Sequence, residues 1–311
     1  MKSISSRLKP LLRWSVLGGT LFFLGKILSD HWQSVIAIRV DAAGWACLAI
    51  ALGITLLAHI CAGWVWSQML QRDFRQPVQG TWMIQAYLQA TIAKYLPGNI
   101  WHYYGRISAA TQSGASLETA AVSVLLEPLL MAAAALLVAL LSSQVIAARY
   151  GFPALALQWL VLVGVLMSIH PRVLNPLIQV VAKLKQTAQP GLATSNPVHL
   201  TRYPLIPLLG ELGFLVLRSG GFLLTFLAIA SFTSDQLPML ISAFSLAWLL
   251  GLVVPGAPGG VGVFEATAIA LLGPQFSPGL LLGVVALYRL VSVLAEACGA
   301  GLAWLDQRIP S

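Results

Sequence analysis

The feature that most constrains this chain is the run from Ala42 to Leu70, which contains no Asp, Glu, Lys or Arg. About 20 apolar helical residues cross the roughly 30 Å hydrocarbon core of a bilayer, so this run reads as a membrane span. Trp64 and Trp66 near its end suit an interface. Similar runs lie at about 11–28, 117–147, 204–230 and 279–304, with a shorter one ending near Ile169. The composition agrees. Hydrophobic residues make up 58% and charged residues 9%, against about 25% charged in soluble chains, and the mean hydropathy is +0.83. The expectation is an all-α polytopic membrane protein: a single membrane domain with about six transmembrane helices.

The net charge of +8 does not point to nucleic acid, because the cations flank apolar runs, as the positive-inside rule expects. With both termini cytoplasmic, Lys2, Arg7, Lys9, Arg13, Arg72, Arg75, Arg172, Lys183, Lys185, Arg202 and Arg308 fall inside. Arg39 and Arg149 fall outside with Asp30, Asp41 and Asp235. The expected location is the plasma (inner) membrane. The basic start followed by the run 11–28 resembles a signal peptide, but GKILSDHWQS after it offers no small-x-small cleavage site, so an uncleaved first span is expected. Cys47, Cys61 and Cys298 lie in apolar runs without CxxC or Cys/His spacing and read as small buried hydrophobes.

Two stretches are broken by Pro and Gly. AKYLPGNIWHYYGR, from Ala93 to Arg106, sets two cations, a His, an Asn and four aromatics around Pro97 and Gly98. Pro lacks an N–H and restricts the residue before it, and Gly relaxes the turn. A re-entrant hairpin over 81–110 follows, opening to the cytoplasm; a kinked span followed by a surface helix is the other reading. The second hairpin, 237–272, breaks at PGAPGG, with Pro255, Gly256, Gly259 and Gly260. The segment after each break is too short to cross. Three spans enclose each hairpin, so 1–150 and 151–311 are expected to form inverted-topology repeats, in which transporters place the site near the midplane. The segment 170–203, with four cations and no acid, reads as a cytoplasmic loop too poor in apolar residues to bury a core.

Ionisable residues inside spans are costly and need partners or a purpose. Here they are Lys94, Arg106, Glu127, Glu211, Arg218, Glu265, Arg289 and Glu296. Glu211 and Arg218 are seven apart, as are Arg289 and Glu296, so each pair shares a helix face. If the fifth and sixth spans pack side by side, Arg218 lies level with Arg289 and Glu211 with Glu296. Two level arginines suit a phosphate, since guanidinium offers paired donors, and Lys94 and Arg106 can supplement them. Glu127, Glu211, Glu265 and Glu296 can balance the empty site or carry a coupling proton. A self-neutralising network without a ligand is the alternative. On the first hairpin Asn99, His102, Tyr103 and Arg106 share a face, beside a helix start with free N–H groups. Trp101, Tyr103 and Tyr104 suit interfacial anchoring as well as ligand contact. His59 reads as a packed or helix–helix hydrogen-bonding histidine. There is no DxD, HExxH, P-loop or GxSxG, and GGVG lacks the context of a nucleotide loop. An enzymatic role is therefore not favoured, and neither a cofactor nor a metal is expected.

At KYLPGNIWHYYGR and LLGLVVPGAPGGVGVFEA, and over nearly its whole length, the chain resembles the family named after the transmembrane region of lysylphosphatidylglycerol synthase. That is the flippase-like part of the multiple peptide resistance factor. The resemblance singles out Lys94, Pro97, Gly98, Arg106, Pro255, Gly256, Gly259, Gly260, Gly262 and Glu265. It implies movement of an anionic phospholipid or polyprenyl-phosphate-linked lipid between leaflets, with membrane lipid as the partner. A homo-oligomer or a partner lipid-modifying enzyme fits the same implication. The sequence to Ser311 contains no aminoacyltransferase domain, so lipid aminoacylation by this chain alone is not expected. A membrane-embedded transferase or accessory subunit acting on polyprenyl-phosphate sugars or lipid headgroups is the alternative, and a purely structural partner is a third reading.

Overall fold

The computed structural model describes residues 40–95, 100–188, 198–254, 260 and 262–308. The expected span at 11–28, together with Pro97, Gly98, Asn99, Pro255, Gly256 and Gly259, lies outside the described residues. The described residues form helices and no strand. They are α1 (Ala42–Gln68), α2 (Gly80–Thr91), α3 (Trp101–Gln112), α4 (Leu117–Ala139), α5 (Ser143–Ser168), α6 (Pro171–Ala188), α7 (Leu205–Leu227), α8 (Leu237–Val253), α9 (Val263–Leu272) and α10 (Pro278–Asp306).

Among the described residues six stretches are long and apolar enough to cross a membrane: Ala42–Asp73, Leu117–Ser142, Tyr150–Ser168, Leu205–Leu227, Ser234–Val253 and Pro278–Asp306. The protein is thus an all-α polytopic membrane protein. Helix starts follow from short polar side chains. The Asp41 carboxylate accepts from Gly44 N at 2.7 Å ahead of α1, and the Ser116 hydroxyl accepts from Thr119 N at 3.2 Å ahead of α4. Each satisfies a backbone donor that the first helical turn leaves open.

Helix α1 packs along α7 and also meets α2 and α10, with small residues at the contacts. A Cβ at Gly210 would come within 2.3 Å of Val65 Cγ2, and one at Gly221 within 2.5 Å of Thr55 Oγ1. Gly63 lies against Tyr87, and Gly299 against Leu56 and Leu88. Close backbone approach of this kind lets helices gain van der Waals contact where lipid offers no hydrophobic contrast. One core cluster gathers Trp66, Met69, Met83, Leu126 and Leu130 from α1, α2 and α4. A second joins Phe222, Phe226, Phe244, Phe264 and Tyr288 from α7 to α10.

Both expected hairpins have their ends together. In the first, Gly105 on α3 lies against Ala90 on α2. Gln79 N, just before α2, donates to the Ser113 hydroxyl just after α3 at 3.2 Å. In the second, α8 packs on α9, with the Phe244 and Phe264 rings 5.7 Å apart. Phe232 ahead of α8 and Phe276 beyond α9 both meet Phe226, at 5.6 and 4.9 Å. The first limb here, counted from Ser234, is itself long enough to cross, while α9 is not.

One expectation changes. The segment 170–203 is not simply a loop: α6 occupies Pro171–Ala188. Its apolar residues, Val173, Leu174, Leu177, Ile178, Val181 and Leu184, recur at helical spacing. The Asn175 amide exchanges two hydrogen bonds with the Leu200 backbone, at 2.8 and 2.9 Å, which ties this helix to the chain that returns to α7. Helix α5 is broken near its start, where Gly151 takes φ 79° and two helical pieces meet at a kink. A positive φ of this kind suits Gly because it has no Cβ.

Candidate functional site

A cavity of about 170 Å³ lies where the hairpins meet the spans, well above the ~10–15 Å³ that one water needs. Its wall draws His59 from α1, Tyr87 and Thr91 from α2, and Lys94 and Tyr95 from the turn that ends the first limb. His102, Tyr103 and Arg106 come from α3, Glu127 and Pro128 from α4, and Phe214 and Arg218 from α7. The second hairpin adds Trp248, Gly251, Gly260 and Phe264, and α10 adds Tyr288, Arg289, Ser292 and Glu296. Four cations expected at a binding site, Arg218, Arg289, Lys94 and Arg106, therefore line one space, with His102 beside them.

Three of the four have a carboxylate partner. Lys94 Nζ meets Glu296 Oε1 at 2.5 Å, so the end of the first limb is tied to α10. His59 Nε2 lies 3.4 Å from the same oxygen. Arg106 pairs with Glu127, which also accepts from the Tyr87 hydroxyl at 3.0 Å. The Arg106 guanidinium lies 4.5 Å from the ring centroids of both Trp66 and Tyr87. The Trp66 indole N–H in turn donates to Ser123 at 3.1 Å. Enclosed in this way, Arg106 is as much an anchor for α3 as a ligand group. Arg289 grips Glu265 through Nε and Nη2 and also donates to the Gly260 carbonyl at 2.9 Å. Glu265 accepts as well from Gly262 N at 2.7 Å, which closes the start of α9.

Arg218 differs. It is buried at 6% exposure, and among the described residues no carboxylate comes within the 4.0 Å of an ion pair. Its Nη1 donates to the Ser292 hydroxyl at 3.3 Å and lies 3.5 Å from His59 Nε2. The guanidinium sits 5.1 Å from the Tyr288 ring centroid, and Nε has no hydrogen-bond partner among the described residues. A buried cation held by neutral groups alone is costly unless something anionic completes it.

The expected match in depth agrees with the α7–α10 contact, since Arg218 meets Tyr288 and Ser292, which bracket Arg289. Helices α7 and α10 do meet, at Arg218, Tyr288 and Ser292, but each also lies against α1, and their charges turn to different neighbours. Arg289 turns to Glu265 on α9, and Glu296 turns to Lys94 and His59. Glu211 is buried at 1% exposure and does not line the cavity.

Several wall residues escaped the reading of the sequence, chiefly Tyr87, Tyr288 and Ser292, whereas His59 bridges helices as its reading allowed. A signal existed on α10, where Tyr288, Ser292 and Glu296 recur every four residues along one face of an apolar helix. Among the described residues no three His, Cys, Asp or Glu side chains converge as a metal site would require. No protein-family model matches the sequence, and no curated protein matches it.

Proposed function

We propose that the chain is a flippase-like transporter that moves an anionic phospholipid or polyprenyl-phosphate-linked lipid between leaflets, its phosphate held at Arg218. The observation that carries this reading is the charge balance of the cavity wall. Lys94, Arg106 and Arg289 are neutralised by Glu296, Glu127 and Glu265, while among the described residues Arg218 faces the same space with a hydroxyl, an imidazole and an aromatic ring beside it and no ion-pair partner. A phosphate supplies the missing charge and accepts paired guanidinium hydrogen bonds. Lys94, whose side chain is 24% exposed, is placed to meet the headgroup as it enters.

In this reading the two hairpins, in inverted-topology repeats with cytoplasmic termini, gate the site from opposite sides. Lys94 opens the first gate by leaving Glu296. The family resemblance at Lys94, Arg106, Gly260, Gly262 and Glu265 supports the same assignment, since these residues cluster at the two hairpins.

Reconstitution into vesicles with a panel of headgroup-labelled phospholipids and polyprenyl phosphates tests it. Faster leaflet exchange than in protein-free vesicles, lost with Arg218→Ala, is the expected result. Exchange no faster than in empty vesicles for every lipid overturns the reading. Chemical conversion of a headgroup without translocation supports the transferase alternative instead.

A further inference from the structure

Glu211, on α7, is a buried acid that the cavity does not use. Among the described residues neither of its carboxylate oxygens has a hydrogen-bond partner, and it is 1% exposed. The titratable groups in electrostatic reach are Cys61 on α1, Tyr87 on α2, Arg106 on α3 and Glu127 on α4, while α8 carries none. Arg106 is already paired with Glu127. Two buried carboxyl groups therefore lie within electrostatic reach of one cation. A bare carboxylate there would lack both a donor and a counter-charge, and two neighbouring carboxyl groups that cannot both ionise hold one proton between them.

We propose that Glu211 and Glu127 form a proton-binding pair against Arg106, and that this pair takes up a second proton when an anion occupies the cavity. The proton is then the coupling ion of transport. The link is that Arg106 and Glu127 line the cavity, while Glu211 lies outside its lining and within electrostatic reach of both. An anion beside Arg106 competes with Glu127 for its charge, and Glu127 is neutralised by binding a proton. One proton enters with each anion, and no covalent bond changes. The uptake step rests on the anion-site reading; the resting proton does not.

The purified full-length protein in detergent tests both parts. Infrared difference spectra of wild type against Glu211→Gln should show a protonated-carboxyl C=O band that the variant lacks. Gln copies the shape of the protonated acid, and Glu211→Met is the second variant should the first fold poorly. A band of undiminished intensity in a folded variant overturns the proposal. Dimethyl phosphate, a diester that stays singly charged across the neutral range, is then added in weak buffer with a pH-sensitive dye. Wild type should take up as much as one proton per bound anion, and the double variant Glu127→Gln/Glu211→Gln none. Equal uptake by both proteins, or binding to wild type without uptake, overturns the coupling. If calorimetry finds no dimethyl phosphate bound to wild type, the anion-site reading fails and the coupling with it, while the infrared band decides the resting proton separately.

Discussion

Tyr288 and Arg218 are joined twice across the α7–α10 contact: the Tyr288 hydroxyl donates to the Arg218 carbonyl at 3.3 Å, and its ring stands 5.1 Å from the guanidinium carbon. The backbone and the head of one arginine are thus fixed by one side chain. Such a rigid cation needs little reordering to bind an anion. Among the described residues no acid forms an ion pair with that charge, and Glu296 is reached only through His59, so removing the charge should not harm the fold. Arg218→Met is expected to keep or raise the thermal midpoint in detergent, while dimethyl phosphate affinity falls about ten- to a hundredfold, the range of a lost charged hydrogen bond. Arg218→Lys should fall between the two, having charge without the fork. A marked loss of stability in Arg218→Met would show that Arg218 serves the packing.

How much of this was legible in the sequence depends on the kind of information. Apolar length alone located the spans that became α1, α4, α7 and α10, because bilayer thickness sets that length. Lys94, Arg106, Arg218 and Arg289 could be singled out because a charge in an apolar run is conspicuous wherever it lands. Their partners could not. Periodicity tells which residues share a face, as with Arg289 and Glu296, but not which helix stands opposite, so Glu265 for Arg289 and Lys94 for Glu296 stayed hidden. The helix at 171–188 was hidden for a different reason: its many cations lowered the local hydropathy while its apolar residues still recurred at helical spacing.

The Arg106–Glu127 pair makes the opposite prediction to Arg218. Both residues are buried, at 4% and 3% exposure, and Arg106 is enclosed by Trp66 and Tyr87. Removing one partner of a buried pair strands the other, at a cost of about 3–5 kcal/mol. Arg106→Met and Glu127→Leu are each expected to lower the thermal midpoint in detergent by several degrees. The double variant should recover most of the loss, since neither charge is then left alone. Additive losses in the double variant would show that the packing of the side chains, not their pairing, matters here.

Lys94 and Glu296 can be exchanged to test the proposed gate. They meet at 2.5 Å across the cavity, from the end of the first limb to α10. Lys94→Glu alone sets two acids together beside His59 and should slow lipid exchange about tenfold or more. Adding Glu296→Lys restores the tie in reverse and should return part of the rate. Lys94→Cys with Glu296→Cys, crosslinked by a short bifunctional reagent, should stop exchange until a reductant cleaves the link. Undiminished exchange by the crosslinked protein would remove Lys94 from the gating step.

The α1–α7 interface predicts opposite outcomes for two glycines three residues apart. At Gly210 a Cβ would meet Val65 Cγ2 at 2.3 Å, whereas at Gly213 nothing lies within 4 Å. Val is stiff at χ1 and is held within α1, so it cannot yield by turning a distant bond. Gly210→Ala must push α7 from α1, and overpacking of this kind costs about 1–3 kcal/mol. Gly213→Ala adds a methyl to open space and gains helix propensity of up to about 1 kcal/mol. Thermal unfolding in one detergent should place Gly213→Ala at or above wild type and Gly210→Ala clearly below it. Because Arg218 lies two turns further along the same face of α7, Gly210→Ala is also expected to weaken anion binding while Gly213→Ala leaves it unchanged. Equal midpoints for the two variants would mean that α1 and α7 are less tightly apposed than Gly210 and Val65 indicate.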